Sequence, residues 1–224
     1  MQVLSLEGLA ARNDRPFEPL PPHFPTAFVW EAFDVQGAGA QVLAGFGDGR
    51  LQLIDAQSRR TLELGTPVLS GDVPISASVG WGRFVPGGAA AVTDNTNIPW
   101  GSAATATRPP SAHPGSNTLF LVDDAGAVSW SWRGEQALTG LSLLGGSGLV
   151  VGAGRREADE RRDLWGALVF ETGDAPRLRR ICPTDGPVFF RHAATDDGRV
   201  AVSVLPWKDA DDVVHGAYQV VVLR

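Results

Sequence analysis

Short runs of alternating apolar and polar residues fill this chain, and long stripes with helical periodicity are missing. Gly, Asp and Pro separate the runs, as is typical of β-strands joined by turns. One stretch shows the pattern well, with predicted strands at 138–144, 149–153, 165–171 and 177–181 and the turn sequences GGSG and ETGD between them. The pattern predicts an all-β protein.

The runs group into four successive units, at about residues 27–64, 75–132, 138–181 and 188–224. The first three units have four predicted strands each, and those of the second lie at 75–81, 89–93, 117–123 and 127–132. The fourth unit has only three, at 188–193, 199–204 and 215–224. Residues 2–6 (QVLSL) form an alternating run that none of these units uses. We expect this run to pair with the stretch around 218–223, which would complete the fourth unit and close a ring without an exposed edge.

Three hairpins, at 48–64, 117–133 and 165–181, share an apolar strand that ends in an acidic residue and returns after a polar or glycine turn. Such acids usually bond nearby backbone amides. The hairpins resemble those of WD40-like and PQQ-like β-propeller repeats. Ile54-Asp55 stands where WD40 repeats often carry Trp-Asp, and Trp130 or Trp132 matches the PQQ-like tryptophan.

The resemblance implies one domain over residues 1–224, a small β-propeller of about four four-stranded blades closed by the N-terminal strand, and it implies no cofactor. Four blades is the arrangement known from hemopexin-like domains. Three alternatives stay open: a fifth blade hidden in the second unit, a larger eight-bladed ring completed by a second chain, and a β-sandwich. Aromatic residues in the strands are expected to fill the space between blades.

Composition and charge limit the partners and the cellular location that the chain is expected to have. The net charge is -6, the 19 basic residues are scattered and Lys208 is the only lysine, so nucleic acid is not the expected partner. Cys182 is the single cysteine, which excludes an intrachain disulfide and favours a buried thiol. No apolar run is long enough for a membrane span and no signal peptide is visible, so a cytoplasmic location is expected.

The connections between predicted strands divide unevenly. In a propeller, first-to-second and third-to-fourth connections lie on one face, and all of these are short. The long connections are all predicted on the opposite face, which we call the long-loop face. They are residues 8–26, 65–74, 94–116, 154–164 and 206–214. Long connections in a compact fold usually carry function, so binding is expected there.

Candidate binding residues on the long-loop face are polar, basic or aromatic: Asn95, Asn97, Trp100, Arg155, Arg156, Trp207 and Lys208. Trp and Arg often dominate protein interfaces. Trp100 and Trp207 are interpreted either as exposed anchors or as caps folded back over their own blades.

The acidic residues Asp94, Asp209 and Asp211 are weak metal candidates, since alternating oxygen ligands suit Ca²⁺ but no complete Ca²⁺-binding loop is present. The patterns favour a non-enzymatic protein-binding or scaffold module, with another protein as the partner. The alternative is a metal-dependent hydrolase or lyase acting on a sugar or lactone, which needs Asp94, Asp209 and His113 to converge.

Overall fold

The structure is a computed structural model that describes residues 28–70, 73–94, 113–154, 165–173, 175–194, 199–209 and 211–223. Four larger antiparallel sheets and two short hairpins dominate these residues. Among them, no helix is long and apolar enough to cross a membrane. The all-β prediction is confirmed.

The first two sheets each use four consecutive strands. The first sheet contains β1 (Phe28–Gln36), β2 (Gln41–Phe46), β3 (Arg50–Asp55) and β4 (Arg59–Glu63). A short hairpin follows, made of β5 (Val68–Ser70) and β6 (Val73–Ile75). The second sheet contains β7 (Ser78–Val85), β8 (Gly88–Asp94), β9 (Thr118–Asp123) and β10 (Val128–Arg133).

The third sheet repeats this plan, and the fourth is one strand shorter. The third contains β11 (Leu138–Leu144), β12 (Gly148–Ala153), β13 (Gly166–Glu171) and β14 (Arg177–Pro183). The fourth pairs β15 (Val188–Ala194), β16 (Val200–Val204) and β19 (Gln219–Leu223). Between β16 and β19 the chain forms a side hairpin, residues 207–215, whose strands are β17 (Trp207–Lys208) and β18 (Val214–His215).

Two predicted strands have different bounds in the structure. The strand predicted at 75–81 runs from Ser78 to Val85, because the tight turn at Pro86 and Gly87 sets its register with β8. The strand predicted at 215–224 is divided. His215 belongs to β18, and the chain turns at Gly216, which has a positive φ of 72°, before β19 begins.

In two of the three predicted hairpins the acidic residue forms the turn as expected, whereas Glu171 of the third pairs with Arg177. Asp55 accepts hydrogen bonds from the backbone N–H groups of Gln57 at 2.8 Å and Ser58 at 2.6 Å. Its bond from the Ser58 hydroxyl, together with these two, holds the pKa of the Asp55 carboxyl below its usual value. Asp123 accepts in the same way from the N–H of Ala127 at 2.8 Å.

Adjacent sheets pack face to face, with the first strand of each against the first strand of the next: β1 on β7, β7 on β11 and β11 on β15. We call each contact between two adjacent sheets a joint, and each of the three joints encloses an apolar cluster. In β8, Ala89 and Ala91 face the first sheet while Ala90 and Val92 face the third, so the whole strand is buried. Both pleat faces of an internal sheet are therefore core.

Small residues let these sheets approach closely. A Cβ at Gly45 would lie 2.5 Å from the Ala32 Cβ and 2.7 Å from a methyl group of Val79 in the second sheet. Polar bonds also cross the joints. Asp34 accepts the backbone N–H of Phe84 at 2.8 Å, and the Thr139 hydroxyl donates to the carbonyl of Val188 at 2.5 Å. The joint between the first and second sheets and the one between the third and fourth therefore contain polar bonds as well as apolar contacts.

The predicted closing strand, residues 2–6, lies outside the described residues. Within them, β15 and β1 have no packing comparable to that between adjacent first strands. Ring closure stays a prediction.

Candidate functional site

The chain path places the long connections on one side of the sheets. Consecutive strands are antiparallel neighbours, so connections alternate between the two ends of each sheet. One end, the turn face, has short turns at 37–40, 56–58, 86–87, 124–127, 145–147 and 172–176. The strands that flank the long connections end and begin at the other end, the long-loop face: at Glu63 and Ser78, at Asp94 and Thr118, at Ala153 and Gly166, and at Val204 and Gln219. Residues 95–112 and 155–164 of these connections lie outside the described residues.

The predicted site residues fall into three groups. Trp207, Lys208, Asp209 and Asp211 come together in the side hairpin. Asp94 ends β8 in the second sheet. The others lie outside the described residues: Asn95, Asn97, Trp100, Arg155 and Arg156.

Asp209 shapes the tip of the side hairpin. One carboxylate oxygen accepts the backbone N–H groups of Asp211 at 3.0 Å and Val213 at 2.9 Å. The backbone N–H of Asp209 donates to the carbonyl of Val213 at 3.1 Å, and Asp212 takes a positive φ of 62°. An aspartate that satisfies its own turn in this way is a structural residue.

His215 uses the second carboxylate oxygen of Asp209, with 2.7 Å between Nε2 and Oδ2. This bond is the main reason why the pKa of Asp209 is lowered, and the two backbone bonds act in the same direction. Both oxygens of Asp209 are thereby engaged. Among the described residues, no three His, Cys, Asp or Glu side chains group closely enough to hold a metal ion.

Contacts among three aromatic rings fix the side hairpin to the third sheet. Trp207 lies edge-on to Trp165, with ring centroids 5.6 Å apart, and stacks on His215 at 4.3 Å. Trp165 precedes β13 and is fully buried. Its ring fits against Gly154, where a Cβ would come within 2.6 Å of it. Trp207 is therefore half-buried in a contact with Trp165 of the neighbouring unit, and does not fold back only over its own blade.

The outer surface of the side hairpin mixes apolar and charged groups. Val213 is 52% exposed and Val214 57% exposed. Lys208 pairs with Asp212 across the hairpin, with 3.1 Å between Nζ and Oδ1. Exposed ion pairs of this kind add little stability. The hairpin thus presents two valines beside a charged pair on a fixed support.

Asp94 and His113 are buried where the second sheet meets the long-loop face. The Asp94 carboxylate lies against Gly80, where a Cβ would approach it to 2.2 Å. His113 accepts the N–H of Gly115 at 2.9 Å through Nδ1. Burial lowers the pKa of His113, and the positive charge of Arg133 acts in the same direction, against hydrogen bonds with backbone groups of Thr66 and Ile75. The residue is a neutral structural histidine at neutral pH.

A feature not predicted from the sequence lies on the turn face. A cleft of ≈ 240 Å³ opens between the second and third sheets. Its lining is formed mainly by turn residues: Pro86, Gly87, Thr172, Gly173 and Pro176. The glycine and proline content of these turns was visible in the sequence, but their meeting across two sheets depends on the tertiary packing.

No protein-family model matches this chain, and no curated protein matches it. Similar chains exist among solved structures. One, in the crystal structure of the mitotic checkpoint complex, is 13% identical with a TM-score of 0.48, and the match covers 84% of this chain and 50% of that chain. The Myceliophteria thermophila Cps50 (Swd1) β-propeller domain is 13% identical with a TM-score of 0.49, covering 81% and 51%.

BamB from Moraxella catarrhalis is also similar, at 15% identity and a TM-score of 0.29, with 80% of this chain and 56% of that chain covered. This chain therefore spans about half the length of the solved structures that it matches. The four repeated sheets have the propeller-type architecture that the hairpins predicted.

Proposed function

We propose that this protein is a binding or scaffold module that engages another protein through its long-loop face. The observation that carries the proposal is the side hairpin, which holds Val213 and Val214 exposed on a support anchored by Trp165. A pre-formed projection loses little conformational entropy when a partner binds, so its apolar contacts contribute to affinity.

The chemistry of the side hairpin fits a protein partner. Exposed apolar side chains bordered by charged ones are the usual composition of an interface, with a dry centre and a polar rim. Val213 and Val214 supply the apolar part, and the Lys208–Asp212 pair supplies the rim.

The test is affinity purification of the full chain from its native source, comparing wild type with the double substitution Val213→Asp and Val214→Asp. A protein that co-elutes with wild type is expected to be lost with this variant, because two carboxylates would replace the apolar centre of the contact. Binding of the purified pair, measured by calorimetry, is expected to weaken at least tenfold, as when interface anchors are removed.

The matched control carries the same two changes on the turn face, at Leu143 and Val128, which are 43% and 47% exposed. This variant is expected to retain the partner. Loss of the partner with the control but not with the hairpin variant would place binding on the turn face and reject the proposal. Absence of a co-eluting protein that responds to the hairpin variant would reject it as well.

A further inference from the structure

The outer face of the first sheet, on the side away from the second sheet, is apolar along β1 and β2 and polar along β4, where Arg59, Thr61 and Glu63 are exposed. Asp34 points to the second sheet, where it accepts the N–H of Phe84, so its neighbours along β1 point the other way. Val35 is 43% exposed there. It pairs with Val42 of β2, which pairs with Ile54 of β3, so an apolar row crosses three of the four strands. We call this surface the first end face.

The fourth sheet has a corresponding outer face, on the side away from the third sheet. Val221 and Leu223 of β19 pack into the cluster shared with the third sheet. The alternate residues Val220 and Val222 therefore point outward, and they are 74% and 59% exposed. Tyr218, just before β19, is 73% exposed. We call this surface the last end face.

The two end faces are the outer surfaces of a series of sheets whose internal faces enclose apolar clusters. Repeats that stack on their neighbours need either polar terminal repeats or a further neighbour to cover their outermost faces. Here both outermost faces carry apolar side chains. One face opens the series of sheets and the other closes it, so each is a natural partner for the other.

We propose that two copies of this chain assemble head to tail, with the last end face of each packing on the first end face of the other. The arrangement closes a ring of eight sheets. Its two new joints continue the series already present inside the chain, in which each sheet packs on the next. Head-to-tail contacts that close after two copies bury all the complementary faces at once. The proposal does not depend on the proposed function of the long-loop face.

The surface available fits a stable dimer. Strands lie about 4.8 Å apart and advance about 3.3 Å per residue, so a face of three to four strands with five to six residues each covers roughly 300 Å². Each joint buries such a face on both copies, and two joints therefore remove roughly 1,200 Å² from solvent. This value lies at the lower end of the range for specific interfaces.

The test is the mass of the full chain in solution by light scattering or sedimentation velocity. One chain has a mass of 23.7 kDa, and we expect a dimer of about twice that mass at micromolar concentration. Val35→Asp and Val222→Asp, each alone, are expected to give folded monomers, because either change places a carboxylate in both joints. The control is Leu69→Asp, at a residue that is 74% exposed in β5 and belongs to neither end face; it should remain a dimer.

Mixing the two monomeric variants provides the sharpest result. In a head-to-tail pair of Val35→Asp with Val222→Asp, one joint carries both substitutions and the other carries none. The mixture is therefore expected to form 1:1 dimers that neither variant forms alone. Circular dichroism and a thermal melt of each variant establish that it is folded.

Three outcomes would overturn the proposal. A wild-type chain that stays monomeric at 100 µM would mean that the end faces are covered within one chain, either by each other or by the 27 residues that precede β1. A dimer that survives both Val35→Asp and Val222→Asp would place the contact elsewhere. Monomeric variants that fail to associate on mixing would exclude the head-to-tail arrangement.

Discussion

The third and fourth sheets have similar strand sequences but different surroundings. In the third sheet, Leu168 and Phe170 of β13 face the second sheet while Ala167 faces the fourth, and all three are buried. In the fourth sheet, β19 has the sequence QVVVL, as apolar as an internal strand, yet Val220 and Val222 are exposed. An apolar residue on both pleat faces is the pattern of a strand covered on both sides. β19 therefore has the sequence of an internal strand although it lies in the last of the four sheets.

The largest expected difference comes from truncating one residue in each of these two strands. Leu168→Ala should lower the free energy of unfolding by about 3 kcal/mol, because it leaves a cavity in a packed joint. Val220→Ala, made in the monomeric Val35→Asp background, should cost less than about 0.5 kcal/mol, as is usual for an exposed side chain. Urea denaturation of both variants against their parents measures the difference.

Equal losses from the two truncations would show that Val220 is buried in the monomer. The end faces would then be covered within a single chain, and the contrast between the third and fourth sheets would disappear.

Much of this contrast could be predicted from the sequence, because strand alternation and turn chemistry are local. The four units, the missing strand of the last one and the turn roles of Asp55 and Asp123 were all predicted from short patterns. Boundaries were less predictable. Apolar residues recur at alternate positions from Ile75 to Trp81, and only pairing with β8 shows that the long strand begins at Ser78.

Packing between sheets could not be predicted, since it depends on which side chains of one sheet contact which side chains of the next. Aromatic residues were expected to fill the joints, and Trp81 and Phe84 do so as buried members of the clusters between sheets. Trp130 and Trp132 lie against the cluster between the second and third sheets only partly buried, and alanine, valine and leucine form much of the rest. The contact of Trp207 with Trp165 joins residues far apart in sequence, so a local pattern contains no signal for it.

A smaller expected effect is the pH dependence of stability, which should differ between the buried His113 next to the second sheet and His215 of the side hairpin. His113 is buried and its pKa is lowered, so the unfolded chain binds a proton more readily than the folded one. Stability is then fully present above the ordinary histidine pKa of about 6.5 and falls as the pH drops below it. One proton contributes at most about 1.4 kcal/mol per pH unit. Urea midpoints between pH 8 and pH 5 should show this loss in the wild type.

His113→Gln should reduce that pH dependence, although it lowers stability at every pH. The control is His215→Gln, which changes the half-exposed histidine of the side hairpin and should retain the loss below pH 6.5. A slope that disappears with His215→Gln and persists with His113→Gln would assign the titration to the side hairpin instead.

The smallest expected effect concerns the side hairpin, which is attached to the fourth sheet but folds around its own aspartate. Asp209→Asn should accelerate amide hydrogen exchange at Asp211 and Val213 by about tenfold, because charged acceptors form the stronger hydrogen bonds. The lowered pKa of Asp209 keeps its carboxylate ionised down to its ordinary value near 3.8, and protection should decline only as the pH falls below that value toward the lowered one. Exchange measured by NMR at pH 6 to 7 therefore compares the variant with a wild type whose Asp209 is fully charged.

Asp211→Asn is the matched control, since Asp211 joins this network through its backbone N–H, and it should leave the exchange rate of Val213 unchanged. If Asp209→Asn instead lowered the urea midpoint of the whole protein, the side hairpin would be part of the cooperative core, and the fourth sheet would be less distinct from the third than their exposed surfaces indicate.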